Sequence, residues 1–189
     1  KTDFSECLDL SRDYKGPKAT RVDTKGSSSS QEYGGEIWKI LPVPGLYVIR
    51  GALDMKQQVY WAMTSVSEFS RCEHTNLTNL HGAQPDHWKK AVEEHDVGKG
   101  TGFHGLRWAS LGYHYDWTKR LYYKNEKSDF PDELAKLAST LAAKVGYQVK
   151  SEAAIVNFYP FDASMGGHVD DAELTLSYPI VSVSLGCSA

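Results

Sequence analysis

The sequence lacks the features that mark membrane and disulfide-rich proteins. No run approaches the roughly 20 apolar residues of a spanning helix, and the N-terminus has no charged-then-apolar signal pattern, so we expect no membrane association. The three cysteines, Cys7, Cys72 and Cys187, are far apart and form no CxxC pair, which argues against a disulfide framework and a zinc ribbon. This cysteine usage fits a reducing intracellular compartment, and it leaves nucleus, mitochondrion and cytoplasm open.

Charge of one sign is not in excess either. With 21 Lys and Arg against 24 Asp and Glu, the formal net charge is −3, which excludes a basic coat but leaves room for a local nucleic-acid patch. After Lys150 the chain has no Lys or Arg at all. The length of 189 residues and the 41% hydrophobic content are those of a folded globular domain.

The distribution of apolar residues divides the chain. Residues 12–35 are rich in Gly, Ser and charge, so they predict a flexible or irregular N-terminal segment, 1–35, ahead of a folded domain, 36–189. Asp54 is a good helix cap, and the apolar residues after it follow helical spacing; they are Met55, Val59, Met63 and Val66. A second short helix is predicted from Pro85, and it carries Trp88, Val92 and His95.

The second half of the chain changes its hydrophobic period from 3.6 to 2. A helix is predicted over 131–145, where apolar residues recur at i, i+3, i+4, i+7 and i+11 between Pro131 and Gly146. The alternation that follows predicts strands over 153–159, 165–170 and 178–185. Helices followed by strands favour an α+β fold, in which helices pack on a sheet or barrel.

The tripeptide His-x-Asp occurs twice, at 114–116 and at 168–170. Residues i and i+2 of a strand share a face, so His168 and Asp170 could bind one metal ion from a single strand, with a third donor on a neighbouring strand. The second copy is distinguished by Gly166 and Gly167 before it and by the tripeptide 157–159 upstream. A hydrogen-bonded polar pair at a barrel mouth is the alternative interpretation.

A basic and aromatic stretch lies between the two motifs. It interleaves four basic and three aromatic residues, namely Trp117, Lys119, Arg120, Tyr122, Tyr123, Lys124 and Lys127. Such a loop could bind phosphates while its rings contact bases, and a solvated surface loop is the equally weighted alternative. Glu173, close to the second His-x-Asp, is left unassigned.

The spacing of these motifs resembles a known family. Asn157-Phe158-Tyr159, followed by eight residues and His168-Val169-Asp170, resembles the 2-oxoglutarate and iron signature of the AlkB family of oxidative demethylases. The runs RWASLGYHYDW, FPDELAKLA and VNFYPFDASMGGHVDDAEL resemble its AlkB homologue one branch, over roughly residues 36–189. The resemblance implies a double-stranded β-helix (jelly-roll) core with N-terminal helices packed on it, and Fe(II), 2-oxoglutarate and O2 as cofactor and co-substrates.

The resemblance also implies roles for single residues. His168 and Asp170 become catalytic Fe(II) ligands, and Asn157, Phe158 and Tyr159 become the 2-oxoglutarate contacts. The positions around the substrate nucleotide are Trp88, Tyr113, His114 and Tyr115, which makes the first His-x-Asp coincidental. Aromatic rings beside a metal pocket suit stacking on a flipped base, with ordinary core packing as the alternative for the tryptophan and the tyrosines.

Two parts of the family pattern have no counterpart in this sequence. The pattern continues to a third ligand, a histidine, and to an arginine that binds the distal carboxylate of 2-oxoglutarate, and neither follows Asp170. A jelly roll uses about eight strands, whereas three strand-like runs follow the helix predicted over 131–145. We therefore expect that the C-terminal strands are missing from this chain, or that a second chain completes the barrel.

The function implied by the resemblance is oxidative demethylation of N-methylated bases in nucleic acid. The candidate substrates are DNA N6-methyladenine and tRNA N1-methyladenosine, and the products are formaldehyde, succinate and CO2. Two alternatives stay open: a base or protein hydroxylase of the same chemistry, and a non-catalytic nucleic-acid-binding or scaffold module with an incomplete metal site. A zinc hydrolase is disfavoured because the sequence has no HExxH motif.

Overall fold

The computed structural model describes residues 10, 14–22, 33–81, 86, 89, 93, 105–160 and 163–186. The chain divides into two units, Lys1–Gln58 and Val59–Ala189. Of the helix predicted from Pro85, only Asp86, Lys89 and Glu93 are described; its Trp88, Val92 and His95 lie outside the described residues, as do Cys7 and Cys187. None of the described helices is long and apolar enough to cross a membrane.

The first unit is built on a three-stranded antiparallel sheet. Its strands are β1 (Ala19–Arg21), β2 (Glu36–Ile40) and β3 (Tyr47–Arg50), in the order β1-β2-β3. One face buries a small apolar cluster of Ala19, Trp38 and Ile40, against which Leu10, Tyr14 and Val48 pack. At one end of the sheet the Arg50 side chain donates to the Leu10 carbonyl at 2.7 Å and forms an ion pair with the Glu36 carboxylate on the neighbouring strand.

Strand β1 lies inside the segment that the sequence predicts to be flexible or irregular. Thr20 and Arg21 are exposed and polar, and only Ala19 is buried. Its backbone pairs with β2 in register, Ala19 with Ile40 and Arg21 with Trp38, so these residues form an edge strand. The boundaries 1–35 and 36–189 stay a prediction.

Helix α1 (Met55–Ser67) begins where the sequence predicts it. The Asp54 carboxylate accepts the Gln57 amide hydrogen at 2.8 Å, and the Gln57 side chain accepts the Asp54 amide hydrogen at 2.8 Å, which is a reciprocal capping box. The apolar residues that predicted the helix are not its buried face, however: Met55 is 72% exposed and Met63 48%, whereas Trp61 is buried.

The second unit contains a second antiparallel sheet and two further described helices. Its strands are β4 (Trp108–Asp116), β5 (Leu121–Lys127) and β6 (Ala153–Asn157), in the order β5-β4-β6. The first part of β4, residues 108–112, pairs with β6, and the part from Tyr113 onward pairs with β5. The helices are α2 (Asn76–His81) and α3 (Asp132–Lys144), and a short 3-10 turn covers Phe69–Arg71.

Gly112 is the point at which β4 changes its partner. Its φ of +71° lies in the left-handed region, and an added Cβ would lie 2.0 Å from the Glu152 carbonyl oxygen. The neighbouring Tyr113 amide donates to that same carbonyl at 3.0 Å, and the Gly112 carbonyl accepts the Ser128 amide at 2.9 Å. The absence of a side chain therefore allows three chain segments to meet at one residue.

Helix α3 confirms the helix predicted over 131–145. Asp132 and Glu133 lie in its first turn and Lys144 in its last, which complements the helix dipole. The helix ends at Lys144. Gly146, two residues further on, has a φ of +84°, and the Tyr147 amide donates back to the Ala142 carbonyl at 3.0 Å. Leu137, in its apolar stripe, is 1% exposed.

The segment after β6 corrects two predictions. Strands were expected over 165–170 and 178–185, but the described residues 163–186 form no strand, and β6 ends at Asn157 rather than at Tyr159. A strand requires a partner for its backbone hydrogen bonds, and no described residue pairs with this segment. Its apolar side chains stay exposed, for example Val169 at 76% and Leu174 at 77%. The helices and antiparallel sheets agree with the α+β prediction, while the jelly roll stays a prediction.

Candidate active site

His168 and Asp170 lie next to each other, as their spacing predicts. The His168 Nε2 atom is 3.5 Å from the Asp170 Oδ1 atom, and both side chains are about half exposed, at 54% and 55%. The other ring nitrogen, Nδ1, lies 3.0 Å from the Gly166 carbonyl oxygen. Because a carbonyl oxygen only accepts, Nδ1 is the donor in this hydrogen bond, and in the neutral ring this leaves the lone pair on Nε2.

This pair supplies two of the donor types found in non-haem iron sites. An imidazole nitrogen and a carboxylate oxygen belong to the donor set of Fe(II) oxygenases, and a backbone acceptor on the far ring nitrogen is the usual support of a ligating histidine. Two atoms bound at right angles to one metal at about 2.1 Å are about 3.0 Å apart, so the observed 3.5 Å requires only a small side-chain rotation. Within the part of the chain that the structure describes, no group of three His, Cys, Asp or Glu could hold a metal.

A pocket of about 310 Å³ is lined in part by residues 163–165, which precede the second His-x-Asp in the chain. It is lined by Arg107, Trp108, Trp117, Asn157, Phe158, Tyr159, Ala163, Ser164 and Met165. The structure thus gathers in one pocket the three residues that the resemblance assigns to 2-oxoglutarate, and the lining ends three residues before His168. The Tyr159 hydroxyl lies 3.6 Å from the Met165 sulfur, across the pocket lining.

Trp108 is a pocket residue that the sequence did not reveal as such. It pairs directly with Asn157 in the ladder of β4 and β6, so the two side chains lie on the same face of the sheet. An indole ring therefore lies beside the amide expected to bind the co-substrate. The residue type was visible in the sequence, but the cross-strand register that places it there was not.

Four rings continue from the pocket onto the β4–β5 hairpin, and we call them the aromatic ladder. The ring centroids of Trp108 and Trp117 are 5.1 Å apart, and the two ring planes are tilted by 38° to each other. Trp117 contacts Tyr115 edge to face at 4.8 Å, and Tyr115 lies 5.2 Å from Tyr122. These distances lie in the range of favourable aromatic pairs, so the ladder links the pocket to the hairpin by direct contact.

The far end of the ladder is near the His-x-Asp segment. Burial raises the pKa of Tyr122 to about 12, and the negative charges of Glu173 and Asp170 act in the same direction. The phenol therefore keeps its proton at physiological pH. Glu173, unassigned from the sequence, has one carboxylate oxygen that is buried and has no hydrogen-bond partner among the described residues.

The remaining predicted substrate residues are placed differently. Tyr113 has the Lys127 ammonium 5.5 Å from its ring centroid, and it does not line the pocket. His114 is 5% exposed, and its ring lies edge to face with that of His74, with 3.4 Å between the ring centroids. Burial, together with the neighbouring His74, lowers the pKa of His114. Its substrate role stays a prediction that this burial does not support, and Trp88 lies outside the described residues.

Residues 45–189 match the 2OG-Fe(II) oxygenase superfamily, and the chain belongs to it. Sequence similarity to curated proteins indicates which branch of this superfamily the chain resembles. The chain is 32% identical to the DNA N(6)-methyladenine demethylase ALKBH1A of Arabidopsis thaliana over 99% of its own length, and 44% identical to the nucleic acid dioxygenase ALKBH1 of Mus musculus over 44%. It is also 38% identical to the tRNA demethylase abh1 of Schizosaccharomyces pombe over 43%. These similarities confirm the AlkB family and its ALKBH1 branch.

The chain spans less than two thirds of the length of these curated relatives. The matched part covers 64% of the Arabidopsis protein, 22% of the mouse protein and 28% of the Schizosaccharomyces pombe protein. Activity, substrate and partners of the whole protein are therefore matters for proposal.

Proposed function

We propose that this chain is the part of an Fe(II)- and 2-oxoglutarate-dependent dioxygenase that removes N-methyl groups from bases in nucleic acid. The observation that carries the proposal is the half-exposed His168 Nε2 atom, held beside Asp170 Oδ1 by the Gly166 carbonyl. Support comes from relatives named as demethylases of DNA N6-methyladenine, of tRNA and of RNA N6-methyladenosine. DNA N6-methyladenine and tRNA N1-methyladenosine are both retained as candidate substrates.

His168 and Asp170 would hold the iron, and the amide of Asn157 and the hydroxyl of Tyr159 would bind 2-oxoglutarate by hydrogen bonds. The bound metal and co-substrates would supply oxidation of the N-methyl carbon, with 2-oxoglutarate and O2 consumed and succinate, CO2 and formaldehyde released. Gly166 would orient the His168 ring, because a hydrogen bond from Nδ1 to its carbonyl leaves Nε2 as the nitrogen that would bind the metal.

The pocket that would hold 2-oxoglutarate also carries a ring for a base. Its volume of about 310 Å³ is near the lower end of the range of about 300–1,000 Å³ for ligand sites. Trp108 pairs with Asn157 across the strands, and its ring would be available for a base to stack on. Because enzymes that act on a base take it out of the stack, the methylated base would be extruded from a duplex or presented in a single strand.

The test compares two neighbouring carboxylates, Asp170 and the exposed Asp171. In the whole protein, with Fe(II) and 2-oxoglutarate, Asp170→Ala should lower formaldehyde and succinate release from a methylated oligonucleotide at least about 100-fold, while Asp171→Ala stays near wild type. Titration with Mn(II) gives a second readout, because Asp170→Ala should also weaken metal binding. Turnover that survives Asp170→Ala, or that is lost equally with Asp171→Ala, would contradict the assignment.

A second candidate function is favoured by one observation. Among the described residues only two metal ligands come together, which also suits a nucleic-acid-binding module without catalysis. The two candidates differ in whether the affinity for nucleic acid depends on metal and 2-oxoglutarate. A catalytic site should bind a methylated oligonucleotide more tightly when Mn(II) and 2-oxoglutarate are present, and a binding module should not. We also propose an intracellular location on the cysteine usage, which leaves nucleus, mitochondrion and cytoplasm open; fractionation of tagged protein tests it.

A further inference from the structure

We propose that Asn76 is a positioning residue, whose side-chain amide fixes the backbone that carries Arg107 and Trp108 in the pocket lining. Asn76 is the first residue of α2; it does not line the pocket itself, and no sequence motif marks it. The inference deepens the proposed function and rests on it, because it concerns the affinity of that pocket for 2-oxoglutarate.

The first argument is that one amide group binds three backbone groups. The Asn76 Oδ1 atom accepts the Arg107 amide hydrogen at 2.7 Å and the Trp108 amide hydrogen at 3.2 Å. The Asn76 Nδ2 atom donates to the Gly105 carbonyl at 3.0 Å. Two N–H donors and one carbonyl acceptor permit only one orientation of the amide. Three bonds to one planar group therefore fix both the position and the direction of residues 105–108.

The second argument is that these bonds lead directly to the expected 2-oxoglutarate contacts. The backbone of Arg107 is held on two sides, because its amide donates to Asn76 and its carbonyl accepts the Phe158 amide hydrogen at 2.8 Å. Trp108, the next residue, pairs with Asn157 in the ladder of β4 and β6. A displacement of Arg107 and Trp108 therefore acts on two of the residues expected to bind the co-substrate.

The third argument is that the segment ending at Asn76 pairs with the first part of β4. The Ser110 amide donates to the His74 carbonyl at 2.8 Å, and Thr75 forms a bridge with Ala109. These contacts hold the segment against the strand through the main chain. At the two pocket residues that precede Ala109, the Asn76 side chain continues the pairing. Asn76 is thus carried by a fixed segment, and it can pass that restraint on to the pocket.

The place of Asn76 at the surface makes its effect local. Asn76 is partly buried and Arg107 is exposed, so in Asn76→Ala water can take the place of the lost side chain and the fold should survive. Water is not attached to α2, however, and it does not hold the strand in one position. A pocket that is held less tightly must be ordered when its ligand binds, and this ordering lowers the affinity.

The test separates positioning from stability with three variants of the whole protein. Asn76→Ala removes all three bonds, whereas Asn76→Asp keeps an acceptor for the two pocket amides and loses only the donor. Thr75→Val is the control from the same segment. Thr75 is buried, and its hydroxyl accepts the Thr78 amide hydrogen at 3.0 Å as a helix cap, so this variant should lose stability while the bonds of Asn76 remain.

The first readout is the affinity for 2-oxoglutarate of the Mn(II)-loaded protein, measured by calorimetric titration at physiological salt, which screens the charge added in Asn76→Asp. Asn76→Ala should weaken binding about 10-fold, the loss of about one hydrogen bond to the co-substrate. Asn76→Asp should restore most of this affinity, and Thr75→Val should bind like wild type. All three variants should unfold at lower urea concentration than wild type, so affinity and stability should not change in parallel.

The second readout needs no metal, co-substrate or turnover. The ring centroids of Trp108 and Trp117 are 5.1 Å apart, close enough for the two indole rings to give a coupled signal in far-ultraviolet circular dichroism. This signal is identified as the part of the spectrum that Trp108→Phe removes. Asn76→Ala should lose much of it, because Trp108 is no longer held in place, whereas Asn76→Asp and Thr75→Val should retain it.

Two results would overturn the positioning role and leave the demethylase proposal standing. One is an affinity for 2-oxoglutarate that falls in step with stability in all three variants, and the other is an indole signal that survives Asn76→Ala. A wild-type protein that binds Mn(II) but not 2-oxoglutarate, and releases no formaldehyde, would overturn the demethylase proposal itself. The indole signal would then still decide whether Asn76 positions Trp108.

Discussion

Replacement of Gly112 by alanine should destabilise the protein through two separable effects. The φ of +71° costs an alanine about 1–2 kcal/mol, because a Cβ in the left-handed region approaches its own carbonyl oxygen. The new Cβ would also lie 2.0 Å from the Glu152 carbonyl oxygen, so β4 and residue 152 must move apart by about 1 Å or more.

The separation breaks specific hydrogen bonds. The Tyr113 amide donates to the Glu152 carbonyl at 3.0 Å, and Gly112 is paired with Ala153 in the ladder of β4 and β6. Each lost backbone bond costs about 1 kcal/mol net. The total expected for Gly112→Ala is therefore about 3–4 kcal/mol, a large fraction of the roughly 5–15 kcal/mol that stabilises a domain.

Gly146→Ala provides the matched control. Gly146 has a φ of +84°, but an added Cβ would meet no atom within 4 Å, so this variant carries the conformational cost without the clash. Urea unfolding followed by circular dichroism gives the free energy of unfolding for both variants. Gly112→Ala should be less stable than Gly146→Ala by about 2 kcal/mol, and equal stabilities would refute the assigned role of the close contact at Glu152.

Two further predictions concern stability. Leu137→Ala should cost about 2–5 kcal/mol in urea unfolding, because the side chain is 1% exposed, and a loss below about 1 kcal/mol would mean that the site is not packed as described. The pKa of His114 is lowered in the folded state, because burial and the neighbouring His74 lower it by more than Glu126 and Glu73 raise it. Near this pKa the unfolded chain therefore binds more protons than the folded chain. Stability should therefore fall as pH drops below about 6.5, and the fall between pH 7.5 and 5.5 should be smaller in His114→Asn; an identical pH profile would contradict a buried neutral histidine.

Local signals in the sequence were sufficient for part of the fold and of the site. The apolar stripe with Pro131 and Gly146 at its ends predicts α3, because period and end signals act within one segment. Asp54 predicts the start of α1 through a capping contact three residues away. The pair His168 and Asp170 is likewise local, since a spacing of two residues brings the side chains together even without a strand.

Features that depend on distant residues could not be predicted. Alternation over 165–170 and 178–185 indicates strand propensity but says nothing of a partner, and among the described residues no partner is present. The place of Trp108 beside Asn157 depends on the register of β4 with β6, and the ladder through Trp117 depends on the four-residue turn that reverses the chain. The spacing of Met55 and Met63 predicts a helix, but it does not tell which face is covered.

The two pairing partners of β4 separate the part of the chain that can vary from the part that positions the pocket. Residues 108–112 are fixed by β6, and residues beyond Gly112 are paired with β5. Insertions or exchanges in the turn between β4 and β5 therefore leave the hydrogen bonds that position Trp108 and Asn157 intact. The hairpin can therefore vary in length and sequence between related chains while the pairing of Trp108 with Asn157 in the pocket lining stays the same.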